Sequence, residues 1–269
     1  MPEKLLGLIA GNGKFPILFA QKARSQSFKI VAAAVKKDTS PFLRFFVDKI
    51  AWFKVGELRE LLLFLKQEGV RDVIMAGQVN PNNLFEKNVV LDEDSKKIFE
   101  ALKDRKADTI FAAIADKLKD QGMNLLDSTF LLEEYLAPRG TLTRRGPTLS
   151  ELADIDFGRT IAKLMGGIDV GQTVVVKEKA IVAIEAMEGT DKAISRGGKI
   201  AREGAVVIKM SKPHQDPRFD IPVIGLRTIQ TMVKAQARCL AIEAGKTLII
   251  DRDKCMALAN REKICIVAA

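Results

Sequence analysis

Apolar residues run unbroken through Leu5–Ala10, give way at Gly11-Asn12-Gly13, and return with Ile17, Leu18 and Phe19 inside Pro16–Ser25. That pattern predicts a buried strand, a tight turn and a helix. A second strand is expected at Lys29–Val35 and a weaker one at Ile50–Lys54. A helix over Glu57–Gln67, stopped by Gly69, then leads to a strongly apolar strand, Asp72–Ala76. Strands alternating with helices make a parallel, doubly wound sheet the economical arrangement. From Ser95 to Lys119, Ile98, Leu102, Ile110, Phe111, Ile114 and Leu118 recur at helical spacing, so two amphipathic helices follow, and Leu125 and Leu126 add a short strand.

Ala137–Pro147 carries two prolines, two glycines and three arginines, the composition of an exposed connection, and we place a boundary there. Beyond it a helix capped by Ser150 or Asp154 runs to Met165, where Gly166-Gly167 is expected to stop it. Thr173–Val176 and Ala180–Ala186 form a hairpin about Lys177-Glu178-Lys179, and Ala205–Met210 is a further strand. A long helix over Leu226–Ala244 ends at Gly245. Thr247–Ile250 and Ile264–Val267 are short strands around a helix at Asp253–Asn260. The expectation is an α/β chain: a Rossmann-like parallel-sheet N-terminal domain over 1–136 and a mixed α/β C-terminal catalytic domain over 137–269.

The 269 residues are 47% hydrophobic and 29% charged, the balance of a globular chain. Leu5–Ala10 is too short to span a bilayer and lacks the flanks of a signal peptide, so a cytoplasmic protein is expected. Cys239, Cys255 and Cys265 are too few and too scattered for a disulfide framework or a zinc site, and are read as core or surface residues. Lysine and arginine exceed acids 43 to 34, and the resulting +9 attracts phosphates, nucleic acid or anionic lipid. With one Trp and one Tyr there is little to stack bases on, so we expect no nucleic acid and favour a phosphorylated small molecule or lipid head group.

Five clusters can carry chemistry. Gly11, Asn12 and Gly13, between a strand end and a helix start, let backbone amides approach an anion, with Lys14 beside them. Pro16 stands where a dinucleotide fingerprint has its third glycine, so an ordinary turn is an equal alternative. Gln78 and Asn80 follow the second strong strand, where open sheets gather ligand loops, although such amides also serve their own turn. Glu188-Gly189-Thr190-Asp191 offers two carboxylates about a glycine for a hard cation or a sugar hydroxyl, or else a helix start capped by Thr190. Arg196-Gly197-Gly198 adds a candidate phosphate loop. Lys209 and Lys212 end a strand ahead of His214, Asp216, Arg218 and Asp220, a charge density that is costly to order without a ligand or mutual pairing. His214 has no partner at a recognisable spacing and reads as a surface residue, whereas Asp220 is held beside Pro222.

The strings LIAGNG from Leu8, AIEAMEGTD from Ala183 and FDIPVIG from Phe219, in that order, resemble the UDP-2,3-diacylglucosamine pyrophosphatase family of the LpxI type over almost the whole chain. The family pattern differs at Asn12, where it has glycine, and near Gln78, where it has asparagine. The resemblance implies Mg2+-dependent hydrolysis of UDP-2,3-diacylglucosamine to 2,3-diacylglucosamine 1-phosphate (lipid X) and UMP, a step of lipid A synthesis. It puts the family's essential aspartate on Asp220; Asp191 and Lys209 are further catalytic candidates on the reading of the residues themselves. Gly11, Asn12, Gly13, Gln78, Gly189, Thr190 and Lys212 are the candidate substrate-binding residues. Asp220, Glu188 and Asp191 are the candidate metal carboxylates; spacing leaves ligand and base as alternative roles. A homodimer and peripheral contact with the inner membrane are further expectations. Two other classes stay open on residues alone: a nucleotide-dependent oxidoreductase, for which Asp38 after the second strand is the attraction, and a non-catalytic binder of UDP-sugars or lipid phosphates.

Overall fold

The computed structural model describes residues 4–79, 90–102, 104 and 106–269; Asn80 lies outside them. By internal contacts the chain divides into two compact units, Met1–Glu133 with Asp216–Asp220, and Glu134–Gln215 with Ile221–Ala269.

In the first unit, strands β1 (Leu5–Ala10), β2 (Lys29–Val35), β3 (Lys49–Phe53), β4 (Asp72–Ala76) and β5 (Asn124–Leu125) form one sheet in the order β3-β2-β1-β4-β5. Every pairing is parallel. The unbroken apolar runs of β1, β2 and β4 follow from this, because an inner parallel strand is covered on both faces. Helices α1 (Phe15–Ser25), α2 (Leu58–Gln67), α3 (Glu93–Ala101) and α4 (Ala107–Asp120) accompany the sheet. Leu61, Leu65, Val73, Met75 and Leu118 make a core with Val31 and Ala33. The Rossmann-like order puts the reversal at β1, whose neighbours β2 and β4 lead to opposite sides of the sheet.

The second unit contains β6 (Gly140–Thr141), α5 (Leu149–Gly167), β7 (Thr173–Lys177), β8 (Ala180–Ile184), α6 (Thr190–Ala201), β9 (Val206–Lys209), β10 (Val223–Ile224), α7 (Leu226–Lys234), β11 (Cys239–Ile242), β12 (Leu248–Ile249), α8 (Arg252–Arg261) and β13 (Cys265–Ala268). Its main sheet is mixed, ordered β6-β13-β11-β9-β7-β8, with β9, β11 and β13 mutually parallel. A small parallel pair, β10-β12, stands apart. Val175, Ile194, Val207, Ile229, Leu240 and Ile266 fill one core. All three cysteines are buried within this unit.

Four expectations need correction. The helix expected over Leu226–Ala244 is α7 followed by β11: the chain turns at Ala235 and Gln236, the latter with φ of 51°. Leu and Ala suit a helix, but the four residues of β11 are all buried between β9 and β13, and a short apolar run does not reveal its own period. Gly166 and Gly167 do not stop α5, which includes both; Gly166 lies where a Cβ would be 3.3 Å from the Lys212 Cα. The cap of α5 is Thr148, in a reciprocal box with Glu151, while the buried Asp154 accepts from the amides of Glu178 at 3.1 Å and Lys179 at 2.7 Å. Finally, Ala137–Pro147 is more than a connection. It supplies β6 and carries Arg145, whose guanidinium grips Glu151 through both nitrogens and also donates to the carbonyls of Lys263 and Arg238.

Candidate functional site

In the first unit, the loops after β1 and β4 are laced together. The Gly11 amide donates to the Ala76 carbonyl at 2.8 Å, the Asn12 amide to the Gln78 carbonyl at 2.7 Å, and the Gln78 amide returns to Asn12 at 3.4 Å. Two glycines permit the crossing: a Cβ on Gly11 would lie 2.7 Å from the Gln78 oxygen, and one on Gly77, at φ of 86°, would lie 2.5 Å from the Asn12 oxygen. The amides of Gly11 and Asn12 therefore face a neighbouring loop, a use that the turn alone did not disclose. Gly13, with open space around it, and the exposed Asn12 and Gln78 side chains keep the position expected of a ligand loop at the sheet's switch point.

The segment Asp216–Asp220 packs with this same unit. Its Pro217 carbonyl accepts from the Ser128 amide at 2.9 Å, its Arg218 carbonyl accepts from the Ser128 hydroxyl at 2.7 Å, and Phe219 stacks on Phe111 at 5.7 Å. Asp216 forks onto Arg218, which holds its carboxyl below the ordinary range. The Asp220 amide donates to the Asp216 carbonyl at 3.0 Å, so the backbone carrying Asp220 is fixed by its own turn. His214 is exposed.

In the second unit the polar side chains collect at the carboxyl ends of β9 and β11. Lys209, the last residue of β9, is only 7% exposed. Its Nζ donates to the Thr190 hydroxyl at 2.8 Å, and that hydroxyl donates to Glu185 Oε1 at 2.9 Å. Glu185 Oε2 is 4.0 Å from the ammonium and has no hydrogen-bond partner. Gly189, at φ of 85° and ψ of 163°, turns the chain from β8 into α6, so the helix's positive end begins at Thr190, beside the Lys209 charge. The cap expectation for Thr190 is thereby corrected: Gly189 is the cap residue, and the threonine hydroxyl bridges Lys209 and Glu185 instead.

Glu188 is ion-paired to Arg196 at 2.6 Å, which draws its carboxyl below the usual glutamate range. Asp191 is paired to Arg227 of α7 at 2.8 Å, at the edge of a groove of about 420 Å³ that Lys192 and Lys234 also line. Lys212 meets Asp169 at 2.5 Å. One strand along, Glu243 accepts from both the amide and the hydroxyl of Ser211, and from Lys246 at 2.9 Å. Burial opposes the Glu243 charge, but these bonds outweigh it and lower the carboxyl's titration. Arg196-Gly197-Gly198 is not a loop. These residues lie inside α6, where a Cβ on Gly197 would be 2.8 Å from Val175 and one on Gly198 2.5 Å from Ala235, so the pair serves close packing.

A hard divalent cation takes six or more oxygens, several of them from carboxylates or carbonyls. Among the described residues no three His, Cys, Asp or Glu side chains stand together to hold one, and Glu188 and Asp191 each face an arginine. The arrangement does not fit a ready-made Mg2+ centre, and we assign no ligand.

Sequence reading found Lys209, Thr190, Asp191 and Lys212 but passed over Glu185, Arg227, Asp169, Ser211 and Glu243. Glu185 had a signal, since it sits inside the AIEAMEGTD string and is the one carboxylate there on a strand's exit. Arg227 and Asp169 had none, because their partners are distant in sequence.

Residues 5–135 match the family model of the LpxI N-terminal domain, and residues 138–267 that of the LpxI C-terminal domain. A protein of Caulobacter vibrioides, UDP-2,3-diacylglucosamine pyrophosphatase LpxI, is 29% identical over 266 residues, covering 95% of this chain and 94% of its own. Among solved structures, N5-carboxyaminoimidazole ribonucleotide synthetase bound to ADP aligns at 14% identity with a TM-score of 0.29, over 65% of this chain and 32% of that one. The biotin carboxylase domain of Hydrogenobacter thermophilus 2-oxoglutarate carboxylase aligns at 11% identity and a TM-score of 0.29, over 74% and 41%. The chain thus spans less than half the length of either structure, and likeness at that level carries no argument about the fold or the site.

Proposed function

The chain belongs to the LpxI family, and on that premise we propose that it hydrolyses the pyrophosphate bond of UDP-2,3-diacylglucosamine, releasing 2,3-diacylglucosamine 1-phosphate and UMP. Water adds to one phosphorus, the bridging oxygen leaves with the bonding electrons, and the proton of the water passes to a base or to solvent. The requirements are positive charge at the phosphoryl oxygens and a water held in line.

The observation that carries the reading at the residue level is the buried ammonium of Lys209, held by Thr190 at the start of α6. A desolvated cation beside a helix's positive end is suited to the negative charge that builds on a phosphoryl group as the bond breaks. Lys209 is proposed as that electrostatic catalyst, with Thr190 and Gly189 shaping its surroundings. Arg227, paired with Asp191, and Lys212, paired with Asp169, are proposed to shift from their internal partners toward substrate phosphate. Asp220 is proposed as the carboxylate acting on the attacking water, supported by its match to the family's aspartate and by the fixed turn that carries it. Gly13, Asn12 and Gln78 are proposed to contact the nucleotide.

Mg2+ belongs to the proposal as a requirement of the reaction, with no step assigned to it. A homodimer rests on the resemblance alone. No helix of the described residues is long and apolar enough to cross a membrane, and the lipid substrate with the +9 charge supports a cytoplasmic protein visiting the inner membrane. The test is incubation of the folded protein with UDP-2,3-diacylglucosamine and Mg2+, with and without chelator. UMP and lipid X are expected in equal amounts, and the absence of both would overturn the assignment. Hydride transfer with a nicotinamide cofactor, in place of those products, would revive the oxidoreductase reading.

A further inference from the structure

Between β2 and β3 the chain forms a single 3-10 turn, Pro41–Phe45, that points two aromatic rings outward. The turn is rigidly seated: Leu43 is completely buried, the Ser40 hydroxyl accepts from the Phe42 amide at 3.4 Å, and Arg24 of α1 donates to the Phe45 carbonyl at 3.1 Å. On that seat Phe42 is 67% exposed and Phe45 58% exposed, their rings 6.3 Å apart. The Arg44 guanidinium lies 4.8 Å above the Phe45 ring. Lys22 and Arg24 close the last turn of α1, and Lys36, Lys37 and Arg44 flank the aromatic pair along the chain. Of the acids near it along the chain, Asp38 is buried, and Asp48 is exposed but accepts from the Ile30 amide at 2.8 Å.

Single exposed apolar residues are ordinary on protein surfaces. Leu149, Leu152, Phe157 and Leu164 of α5, with Ile168 just past its end, are of that kind, strung along the helix with the exposed Asp156 and Lys163 among them. The 40s turn differs because two rings share one anchored turn with two arginines directly against it, Arg24 on the Phe45 carbonyl and Arg44 over the Phe45 ring. Exposed aromatic rings beside long cationic side chains match the boundary of an anionic leaflet, where rings enter the head-group layer and cations meet lipid phosphates. We propose that this turn docks the protein on an anionic lipid surface through Phe42 and Phe45, with Arg24 and Arg44 as head-group contacts. The proposal rests on the pyrophosphatase reading, whose substrate carries two acyl chains and resides in such a surface.

The test uses the full chain with vesicles of phosphatidylcholine alone and of phosphatidylcholine mixed equally with phosphatidylglycerol. Co-sedimentation is expected only with the anionic vesicles, falling at least tenfold in Phe42→Ser/Phe45→Ser and weakening with added salt in the wild type. Turnover of substrate held in vesicles should fall with that double variant, while turnover of detergent-dispersed substrate should not. Vesicle binding is read without any catalysis, so a failure of the enzymatic reading leaves this measurement standing. Equal sedimentation of wild type and variant would overturn the proposal. So would a change in oligomeric state on the double substitution, which would make the turn an interface between copies.

Discussion

The Lys209 ammonium donates to the Thr190 hydroxyl at 2.8 Å, joining the end of β9 to the first residue of α6. The hydroxyl is used twice, since it also donates to Glu185. A long, flexible side chain is thereby held in one place before any ligand arrives, which is what electrostatic preorganisation requires. Lys209→Met should lower kcat by about 10²-fold, the scale seen when one stabilising donor is removed. Steady-state kinetics on detergent-dispersed substrate checks this, and a variant within twofold of wild type would remove Lys209 from the chemistry.

Thr190 acts through Lys209, so its substitutions should separate a hydroxyl effect from a packing effect. Thr190→Val keeps the shape and loses both hydrogen bonds, and kcat should fall by roughly tenfold. Thr190→Ser restores the hydroxyl and should recover most of the activity. Loss in Thr190→Ser with activity kept in Thr190→Val would mean that the methyl, and not the hydroxyl, matters.

Glu185 supplies the counter-charge to a lysine that is nearly dry. Removing one member of a buried pair strands the other, at a cost of about 3–5 kcal/mol. Glu185→Met should therefore lower Tm markedly, and Glu185→Met/Lys209→Met should recover much of that loss while remaining inactive. Denaturant titration of the two variants with activity assays reads both halves. A double variant no more stable than the single would show that the pair does not matter to the fold.

How far the sequence discloses this molecule depends on the range over which each feature is determined. The parallel sheet of the first unit was legible because β1, β2 and β4 are continuous apolar runs separated by a glycine turn and amphipathic helices. β11 was not, because a four-residue strand completed by neighbours on both sides has no pattern of its own. The same distinction governs the site. Lys209 and Thr190 lie in strings that look functional, whereas the Asp191–Arg227 and Lys212–Asp169 pairs exist only once distant segments pack. Gly197-Gly198 misled in the other direction: glycines that admit a phosphate and glycines that admit a neighbouring backbone are the same letters.

That packing role makes a direct prediction for Gly198. A Cβ there would sit 2.5 Å from the Ala235 Cβ and 2.7 Å from its carbonyl oxygen, so α6 and α7 would have to separate. Gly198→Ala should destabilise by about 1–3 kcal/mol despite alanine's better helix propensity. Thermal unfolding measures it, and a raised Tm would show that the helix pair gives way freely.

Asp220 is held on a turn whose bond to Asp216 uses backbone atoms alone. Asp220→Asn should therefore leave Tm nearly unchanged while lowering kcat by about 10²-fold or more, as loss of a general base does. Unchanged turnover in a folded Asp220→Asn protein would release this residue from the mechanism and transfer the question to Glu188 and Asp191.

The Arg145–Glu151 pair makes the acid side of the stability profile predictable. Burial raises the cost of charge on Glu151, but hydrogen bonds from Arg145 and from the Thr148 amide more than offset it, so the folded carboxyl titrates below its ordinary value. A group depressed by folding stabilises fully above its unfolded pKa, about 4.3 for glutamate, and that contribution disappears as pH falls through the lower folded value. Stability should consequently drop between the ordinary glutamate range and more acid pH. Glu151→Gln, which cannot titrate, should be less stable than wild type at neutral pH and have a shallower acid limb. Arg145→Met removes the partner that depresses the carboxyl, and should cost about 1.5–3 kcal/mol at neutral pH as charged hydrogen bonds are lost. Denaturant unfolding at pH steps from neutral downward compares the three proteins, and parallel acid limbs in wild type and Glu151→Gln would assign the acid sensitivity to other carboxylates.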